Sequence, residues 1–251
     1  MPDNLVRARW EAGEPAIAAW MNSDSTLIAQ ILGASGVDAV VVDLQHGSAS
    51  LDGIFDLLAA IELRGAEPFV RVPSLDAGLI GRCLDAGATG IIAPLIDTAA
   101  EASALVSAIR YPPFGRRSYG PRVPSLRYGP RYVGTAAASV IGLAMIETAA
   151  GLAAVEEIAS TEGLDGLFIG PADLSISLGF GPPSGERPEP VAAAVERIRT
   201  SAHATGRRVG IFCAQTADAQ QAFAGGFDLL TTTPDVTLVD DGTRRTLSAL
   251  R

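Results

Sequence analysis

The chain has 251 residues, 48% of them hydrophobic, and a formal net charge of −9. This acidic balance, without a basic stripe along any predicted helix, argues against nucleic acid as a partner. No apolar run is long enough to span a bilayer and no signal peptide is visible, so we expect a cytoplasmic protein without a membrane partner. Cys83 and Cys213 lie in apolar segments without metal-ligand spacing, and we expect both to be buried and reduced.

The chain contains no lysine; all 19 basic residues are arginine. Schiff-base chemistry through a protein amine therefore has no side chain to use. A Walker phosphate loop is excluded as well, since that loop needs its lysine. If the protein acts on carbonyl compounds, a metal ion or an arginine must stabilise the developing negative charge.

Short apolar runs alternate with stretches of helical periodicity along the chain. The runs predict strands over residues 16–20, 37–43, 68–72, 90–95, 141–146, 166–169, 208–213 and 227–232. The periodic stretches predict helices over residues 25–34, 51–63, 76–85, 99–110, 152–160, 191–205, 217–224 and 236–251. Residues 111–134, rich in Pro, Gly, Tyr and Arg, have no regular pattern and are predicted to be irregular.

Eight strand–helix units in a chain of this length predict a (β/α)₈ TIM barrel, formed as one domain by residues 1–251. Nearly continuous apolar strands are typical of a parallel sheet that is covered on both faces. A doubly wound open sheet is the alternative, but no glycine-rich dinucleotide fingerprint follows the first strand.

Polar residues follow several of the predicted strands at their C-terminal ends. In a barrel these ends converge on one face, where the chemistry of such enzymes takes place. A random scatter of polar core residues would not share this position. The residues are Trp20, Asp43, Gln45, His46, Arg71, Glu147 and Asp173.

Glu147 and Asp173 follow neighbouring predicted strands, so their carboxylates are expected to approach each other. Two ionised carboxylates repel strongly unless a cation lies between them, and hard oxygen ligands favour Mg²⁺ or Mn²⁺. The alternative for the pair is a salt bridge to a nearby arginine. For Asp173 alone, the alternative is a cap at the start of the next helix.

His46 and Arg71 each have a structural and a functional interpretation. A lone histidine is more often a hydrogen-bonded spectator, but His46 at a strand end beside Gly47 could act as a general base. It would need an acidic partner, and Asp43 or Asp85 could supply one. Arg71 lies within an apolar strand and needs an anion, either a protein carboxylate or a substrate. The other histidine, His203, is expected at the surface of an outer helix.

Two further features concern anions. The amides of Gly170, Ala172 and Asp173 open a helix and could bind an anionic oxygen. Six arginines fall in one short region, which is interpreted first as a solvated or subunit-contacting loop and second as a lid for an acidic substrate. They are Arg110, Arg116, Arg117, Arg122, Arg127 and Arg131.

Seven segments carry a resemblance to a known family. The segments are Asp43-Leu-Gln-His46-Gly, Val70-Arg71-Val-Pro, Leu84-Asp85-Ala-Gly, Ile92-Ala-Pro-Leu, Tyr111-Pro-Pro-Phe-Gly, Ile146-Glu147-Thr and Ile169-Gly-Pro-Ala-Asp173-Leu-Ser. In these segments, in order and over nearly its full length, the chain resembles the HpcH/HpaI aldolase/citrate lyase family, whose members are metal-dependent class II pyruvate aldolases.

The resemblance implies a (β/α)₈ barrel of the phosphoenolpyruvate/pyruvate type and a homo-oligomer, a hexamer with helix exchange or a trimer. It also implies roles for individual residues. Glu147 and Asp173 would hold Mg²⁺, Mn²⁺ or Co²⁺. Arg71 would bind the keto acid and stabilise its enolate, and His46 paired with Asp85 would act as base. Trp20 would line the pocket, and the Ala172 amide would hold the pyruvate carboxylate.

Several branches of the family carry an acidic residue and His-Ala where this chain has Gln45-His46-Gly47. This departure leaves the core chemistry in place but weakens the assignment of a substrate by analogy with dicarboxylic or sugar-acid aldolases. It also leaves open how Asp43 and Asp85 divide their roles.

The resulting hypothesis is an aldehyde-lyase that reversibly cleaves a 4-hydroxy-2-oxo acid to pyruvate, or a close 2-oxo acid, and an aldehyde. Two alternatives stay open at this point. One is a CoA-thioester lyase of the same superfamily, which would need a nucleotide site that the sequence does not show. The other is a barrel that binds 2-oxo acids without catalysis.

Overall fold

A computed structural model describes residues 4–182 and 187–251. Its eight strands are all parallel and close into a barrel in sequence order, with the first paired to the last. The predicted (β/α)₈ barrel is therefore confirmed. The strands are Ala16–Met21 (β1), Ala39–Asp43 (β2), Glu67–Arg71 (β3), Gly90–Ala93 (β4), Ile141–Ile146 (β5), Gly166–Ile169 (β6), Arg208–Ile211 (β7) and Leu229–Thr231 (β8).

Helices connect the strands, and additional short helices precede or interrupt the basic pattern. Within the described ranges, no helix is both long enough and apolar enough to cross a membrane. The helices are Leu5–Glu11 (α1), Thr26–Gly33 (α2), Ile54–Glu62 (α3), Ala77–Asp85 (α4), Ala99–Ile109 (α5), Arg122–Tyr128 (α6), Tyr132–Ser139 (α7), Ala149–Ala153 (α8), Val155–Ala159 (α9), Pro171–Ser177 (α10), Glu189–Ala204 (α11), Thr216–Ala224 (α12) and Asp235–Leu250 (α13).

Helix α1 was not predicted, because a seven-residue stretch with alternating charged positions has little periodic signal. The Asn4 side chain caps it by accepting the Val6 and Arg7 amides. The same side chain donates to the Ser139 carbonyl oxygen. Val6 and Trp10 are buried against the inside of the barrel, so α1 closes the end of the barrel where the strands begin.

Residues 111–134 are more regular than predicted, since α6 and most of α7 lie within them. The segment follows α5 and precedes β5, which places it at the N-terminal end of the barrel. Two of the six arginines predicted for this region are buried: Arg110, just before the segment, pairs with Asp165 at 2.6 Å, and Arg117 lies between the rings of Tyr111 and Tyr132. A solvated loop and a lid over the chain's own C-terminal face are therefore both wrong descriptions of these two arginines.

Large and small residues alternate inside the barrel. A Cβ on Gly90 would lie 2.4 Å from the Phe69 ring, and one on Gly210 would lie 2.6 Å from the Phe168 ring. Glycine on one strand thus makes room for phenylalanine on the next. Each fully buried phenylalanine contributes roughly 1.5–3 kcal/mol. The rings fill the interior beneath the C-terminal face, which fixes the floor of any site there.

The predicted environments of three other residues are confirmed. Cys83 and Cys213 are buried, and burial raises the pKa of their thiols to about 12 and about 11. His203 is exposed on α11, and its Nε2 lies 2.8 Å from the Asp228 carboxylate.

Candidate active site

The centre of the barrel mouth is an ion pair between Asp43 and Arg71, which are paired neighbours at the ends of β2 and β3. The guanidinium binds the carboxylate in two places, Nε to Oδ1 at 2.9 Å and Nη2 to Oδ2 at 2.5 Å. Asp43 is completely buried. The anion that Arg71 requires is thus a protein carboxylate, while its Nη1 has no hydrogen-bond acceptor among the described residues.

Two side chains from β1 and its C-terminal end support this ion pair. Asn22 donates to Asp43 Oδ2 at 3.0 Å, and Trp20 Nε1 lies 3.4 Å from the same oxygen. The Arg71 guanidinium lies 4.9 Å from the centroid of the Trp20 ring. Such a contact stabilises a cation and limits the orientations that it can adopt. Trp20 therefore lies at the mouth, as predicted, and Arg71 is held rigidly.

Backbone amides complete the surroundings of Asp43. The N–H groups of Gln45 and His46 donate to Oδ1 at 3.0 and 3.2 Å. Burial alone would raise the pKa of Asp43, but the hydrogen bonds and charge of Arg71 and these two amides outweigh it, so the pKa is lowered. Asp43 is therefore ionised and serves to orient Arg71 and the turn after β2.

The structure separates His46 from Asp85. His46 is exposed in the turn after β2, and its imidazole makes no hydrogen bond within the described residues. Asp85 ends α4, a helix that runs back toward the start of β4, and its carboxylate accepts from Arg117 at 3.2 Å. The two residues lie at opposite ends of the barrel, so the expected pairing is not made within one chain.

The second feature of the mouth is the buried carboxylate of Glu147, only 2% exposed, directly after β5. Its Oε1 accepts the Leu95 amide at 2.9 Å. Leu95 has a φ of 55°, in the left-handed region that a leucine rarely adopts. The loop after β4 is held in a strained conformation that points this amide at the carboxylate.

Gly170 is the residue that lets Glu147 fit. β5 and β6 are in register at Ile146 and Ile169, so the residues that follow them, Glu147 and Gly170, lie side by side. A Cβ on Gly170 would come within 2.5 Å of Glu147 Oε2. No side chain is tolerated there without moving the carboxylate.

Asp173 lies in the first turn of α10 and is exposed. The N-cap position is occupied by Gly170, and no side chain caps the helix. The interpretation of Asp173 as a helix cap is therefore wrong. The Ala172 amide belongs to the same first turn, where backbone N–H groups have no acceptor within the helix.

Glu147 and Asp173 influence each other electrostatically. Burial is the largest cause and raises the pKa of Glu147 to about 7; the Leu95 amide and Arg71 oppose this, and the charges of Asp173 and Asp97 add to it. Among the described residues, neither Glu147 nor Asp173 forms an ion pair with an arginine. The alternative of a salt bridge for this pair is therefore wrong.

The protein offers two carboxylates here rather than a complete metal cage. In the part of the chain that the structure describes, no three His, Cys, Asp or Glu side chains converge. Two carboxylates are the usual protein contribution to a Mg²⁺ site, since water and substrate oxygens supply the other ligands.

Sequence reasoning missed three contributors to the mouth. The Leu95 contact is a backbone amide, so its residue type gives no signal. Asn22 follows the first strand closely and could have been included with the other strand-end polar residues. Phe212, after β7, packs edge-on against Trp20 with 4.9 Å between ring centroids and forms part of the same wall.

Together these features define the class of protein, a (β/α)₈-barrel enzyme whose polar site lies at the C-terminal ends of the strands. The family model for HpcH/HpaI aldolase/citrate lyase matches residues 16–240. The chain belongs to the HpcH/HpaI aldolase/citrate lyase family.

Individual relatives agree with this. The chain is 46% identical to a hydroxypyruvate/pyruvate aldolase of Rhizorhabdus wittichii over 99% of both chains. It is 32% identical to the 2-keto-3-deoxy-L-rhamnonate aldolase of Escherichia coli K12, over 99% of this chain and 93% of the relative. A crystal structure of a family member from Burkholderia cenocepacia J2315 superimposes with a TM-score of 0.91, at 34% identity and 99% coverage of both chains. The prediction of an aldolase, a carbon–carbon lyase, is confirmed.

Proposed function

We propose that the chain is a class II aldolase that reversibly cleaves a 4-hydroxy-2-oxo acid to an aldehyde and pyruvate or a close 2-oxo acid such as hydroxypyruvate. The observation that carries this proposal is the buried carboxylate of Glu147, which feels the charge of Asp173 and has no arginine partner among the described residues. A buried charge of this kind is costly unless a cation accompanies it.

The two carboxylates fit a hard divalent cation, Mg²⁺, Mn²⁺ or Co²⁺. The raised pKa of Glu147 supports the fit, because burial disfavours the charged carboxylate and neither the Leu95 amide nor the charge of Arg71 offsets this. When bound, such a cation supplies Lewis-acid charge to the oxygen of a 2-oxo group.

Arg71 supplies the second positive charge. Asp43 fixes its guanidinium through Nε and Nη2, which leaves Nη1 to donate toward the keto oxygen of a bound acid. During cleavage this oxygen gains negative charge as the enolate develops, and a donor that is already oriented stabilises it without reorganisation. Trp20 keeps the arginine in place from the β1 side.

The start of α10 orients the carboxylate end of the substrate. The Ala172 amide is proposed to donate to the substrate carboxylate, and the absence of a side chain at Gly170 leaves room for the approach. Since β6 adjoins β5, this position lies beside Glu147. The acid is therefore held between α10 and Arg71.

His46 is proposed as the general base. It would remove the proton from the C4 hydroxyl while the C3–C4 bond breaks and its electron pair moves toward the C2 oxygen. The aldehyde leaves, and a proton returned to C3 completes the 2-oxo acid. Asp85 could orient this imidazole only from a second copy of the chain, because within one chain the two lie at opposite ends of the barrel.

The terminal helix supports the proposal of a homo-oligomer with helix exchange. Nearly every residue of α13 is exposed, including the apolar side chains of Val239 and Leu250. On the barrel, Leu27 on α2 and Phe223 on α12 are also exposed, and these helices flank the paired strands β1 and β8. The α13 helix of another copy would cover both surfaces. We propose that this homo-oligomer is a hexamer. We also propose that the protein is cytoplasmic and that residues 1–251 form a single domain.

A panel of 4-hydroxy-2-oxo acids tests the reaction by release of pyruvate or hydroxypyruvate. We expect release with Mg²⁺ or Mn²⁺, loss with a chelator, and recovery when the metal is restored. Glu156→Gln is the matched control for the replacement of Glu147 by glutamine, since this exposed carboxylate pairs with Arg197 away from the mouth. Undiminished turnover in the metal-free protein would contradict the class II assignment.

A further inference from the structure

The loop between β4 and α5 carries the amide that Glu147 uses, and the conformation of this loop needs support. Leu95 has a φ of 55° and donates its N–H to Glu147 Oε1 at 2.9 Å. A strained residue keeps its conformation only where its surroundings determine it. The Leu95 side chain is exposed, so its own packing does not fix the loop. The support must come from the residues beside it.

The next two residues bind the loop to β5 and to the corner that follows it. The Ile96 amide donates to a carbonyl oxygen of β5 at 3.1 Å, and the Ile96 side chain is completely buried. The Asp97 carboxylate accepts a hydrogen bond from the Thr148 hydroxyl. β4 and β5 are in register at Ala93 and Ala144. Asp97 and Thr148 are equally far beyond these positions, which explains why they lie side by side.

Helix α5 fixes Asp97 from the other side. The Asp97 N–H donates to Glu101 Oε2 at 2.8 Å, in the first turn of α5. The same oxygen accepts from the Thr98 hydroxyl at 3.0 Å, and Thr98 caps the helix by accepting the Glu101 amide. Asp97 therefore connects the start of α5 with the corner after β5, and the strained residue lies within this connection.

The position of the Leu95 amide determines which oxygen of Glu147 is free. Oε1 accepts this amide, whereas Oε2 lies beside Gly170, since a Cβ there would come within 2.5 Å of it. Gly170 is the N-cap residue of α10, and Asp173 lies in the first turn of that helix. While the Leu95 amide holds Oε1, Oε2 is thus kept toward the helix that carries the second carboxylate.

We propose that Asp97 is a positioning residue of the cation site. Its hydrogen bond from Thr148 keeps the loop in the conformation that directs the Leu95 amide at Glu147, and this orients the carboxylate for a divalent cation. The inference rests on the proposed function, because it concerns the cation that Glu147 and Asp173 would share. Groups that orient a metal-binding carboxylate typically contribute about 10–100-fold to metal affinity.

The first test is Mn²⁺ binding, with free Mn²⁺ followed by electron paramagnetic resonance. Asp97→Ala removes the acceptor, and we expect about tenfold weaker binding. Asp97→Asn removes the charge but keeps an acceptor oxygen for the Thr148 hydroxyl, so it should keep most of the affinity. Asp56→Ala, at an exposed position on α3, is the matched control and should bind as the wild type does. Equal weakening in Asp97→Asn and Asp97→Ala would assign the effect to charge and overturn the proposal.

Hydrogen exchange at the Leu95 amide in the metal-free protein, followed by mass spectrometry, gives a readout that does not depend on the cation. Exchange should be faster in Asp97→Ala, because the amide leaves Glu147, and should stay slow in Asp97→Asn. Thr148→Val removes the hydroxyl donor and should weaken Mn²⁺ binding and protection of the amide in the same way. Thr148→Ser keeps the hydroxyl and should restore most of both.

Two outcomes separate this inference from the proposed function. If the wild type binds Mn²⁺ and both Asp97→Ala and Thr148→Val bind it equally well, or keep the Leu95 amide protected, the role of Asp97 is overturned and the cation site stands. If the wild type binds no Mn²⁺, the proposed function fails together with any role of Asp97 in it.

Discussion

Carboxylates at the two ends of the barrel have opposite electrostatic surroundings. At the N-terminal end, Asp165 accepts from Arg7 at 2.9 Å and from Arg110 at 2.6 Å. At the C-terminal end, Glu147 is more deeply buried than Asp165 but has only a backbone amide and a neighbouring acid. The first arrangement neutralises the charge and stabilises the fold. The second leaves the charge unbalanced, which is what a site for a cation and an anionic substrate requires.

The largest effect is expected at the N-terminal end. Asp165→Asn would leave Arg110 buried without its counter-ion, at a cost of about 3–5 kcal/mol in the free energy of unfolding. Urea unfolding measures this directly. Asp240→Asn breaks an exposed pair with Arg244 and should change stability by less than about 1 kcal/mol. Equal losses in the two variants would show that burial does not distinguish these pairs.

In the metal-free protein, replacing the unbalanced carboxylate of Glu147 should change the free energy of unfolding in the opposite direction, so that the replacement stabilises the fold. The pKa of Glu147 is raised from 4.5 to about 7 in the folded state, so the folded protein binds this proton more tightly than the unfolded one. Stability from this group is present at low pH and is lost as the pH rises through 7. Relative to Glu147→Gln, the wild type should lose roughly 3 kcal/mol between about pH 4 and pH 8.

Denaturant unfolding of both proteins in a chelating buffer, at several pH values, gives this difference. Other titrating groups cancel, because they are common to the two proteins. If the difference in unfolding free energy between the two proteins did not vary with pH, Glu147 would be ionised without any cation. The carboxylates at the two ends of the barrel would then not differ as described.

A substitution with a smaller expected effect tests the position of the Glu147 carboxylate at the mouth. Gly170→Ala places a methyl group against Glu147 Oε2, and a displacement of about 1 Å at a reacting site can lower kcat by about 100-fold. Gly81→Ala is the matched control, since its Cβ meets nothing within 4 Å on α4, and it should raise stability by about 0.5–1 kcal/mol. Wild-type turnover in Gly170→Ala would show that the position of this carboxylate is unimportant.

Most of the barrel could be predicted from the sequence because parallel strands that are buried on both faces leave continuous apolar runs. The exceptions are short elements whose position depends on tertiary contacts. Helix α1 is held by the Asn4 cap and by Trp10 against the barrel interior, neither of which has a periodic signal. The predicted helix 152–160 is divided at Ala154 and begins earlier, behind the Thr148 cap.

The parts of the site that are side chains at strand ends could be predicted from the sequence. The parts that are backbone groups could not. Glu147, Asp173 and Arg71 are found by their position at strand ends. The direction of the Leu95 amide depends on a left-handed backbone conformation, which a leucine in the sequence does not predict. The position of Asp85 could have been recognised from the order of elements alone, because a residue at the end of a barrel helix lies at the N-terminal ends of the strands.

Binding of Mn²⁺ to the metal-free protein tests the central claim most directly, with free Mn²⁺ followed by electron paramagnetic resonance. We expect the wild type to bind one ion per chain at the mouth, and Glu147→Gln and Asp173→Asn each to weaken this binding by at least about tenfold. Glu156→Gln should bind as the wild type does. No binding by the wild type, or equal binding by all four proteins, would contradict the assignment of these two carboxylates as a cation site.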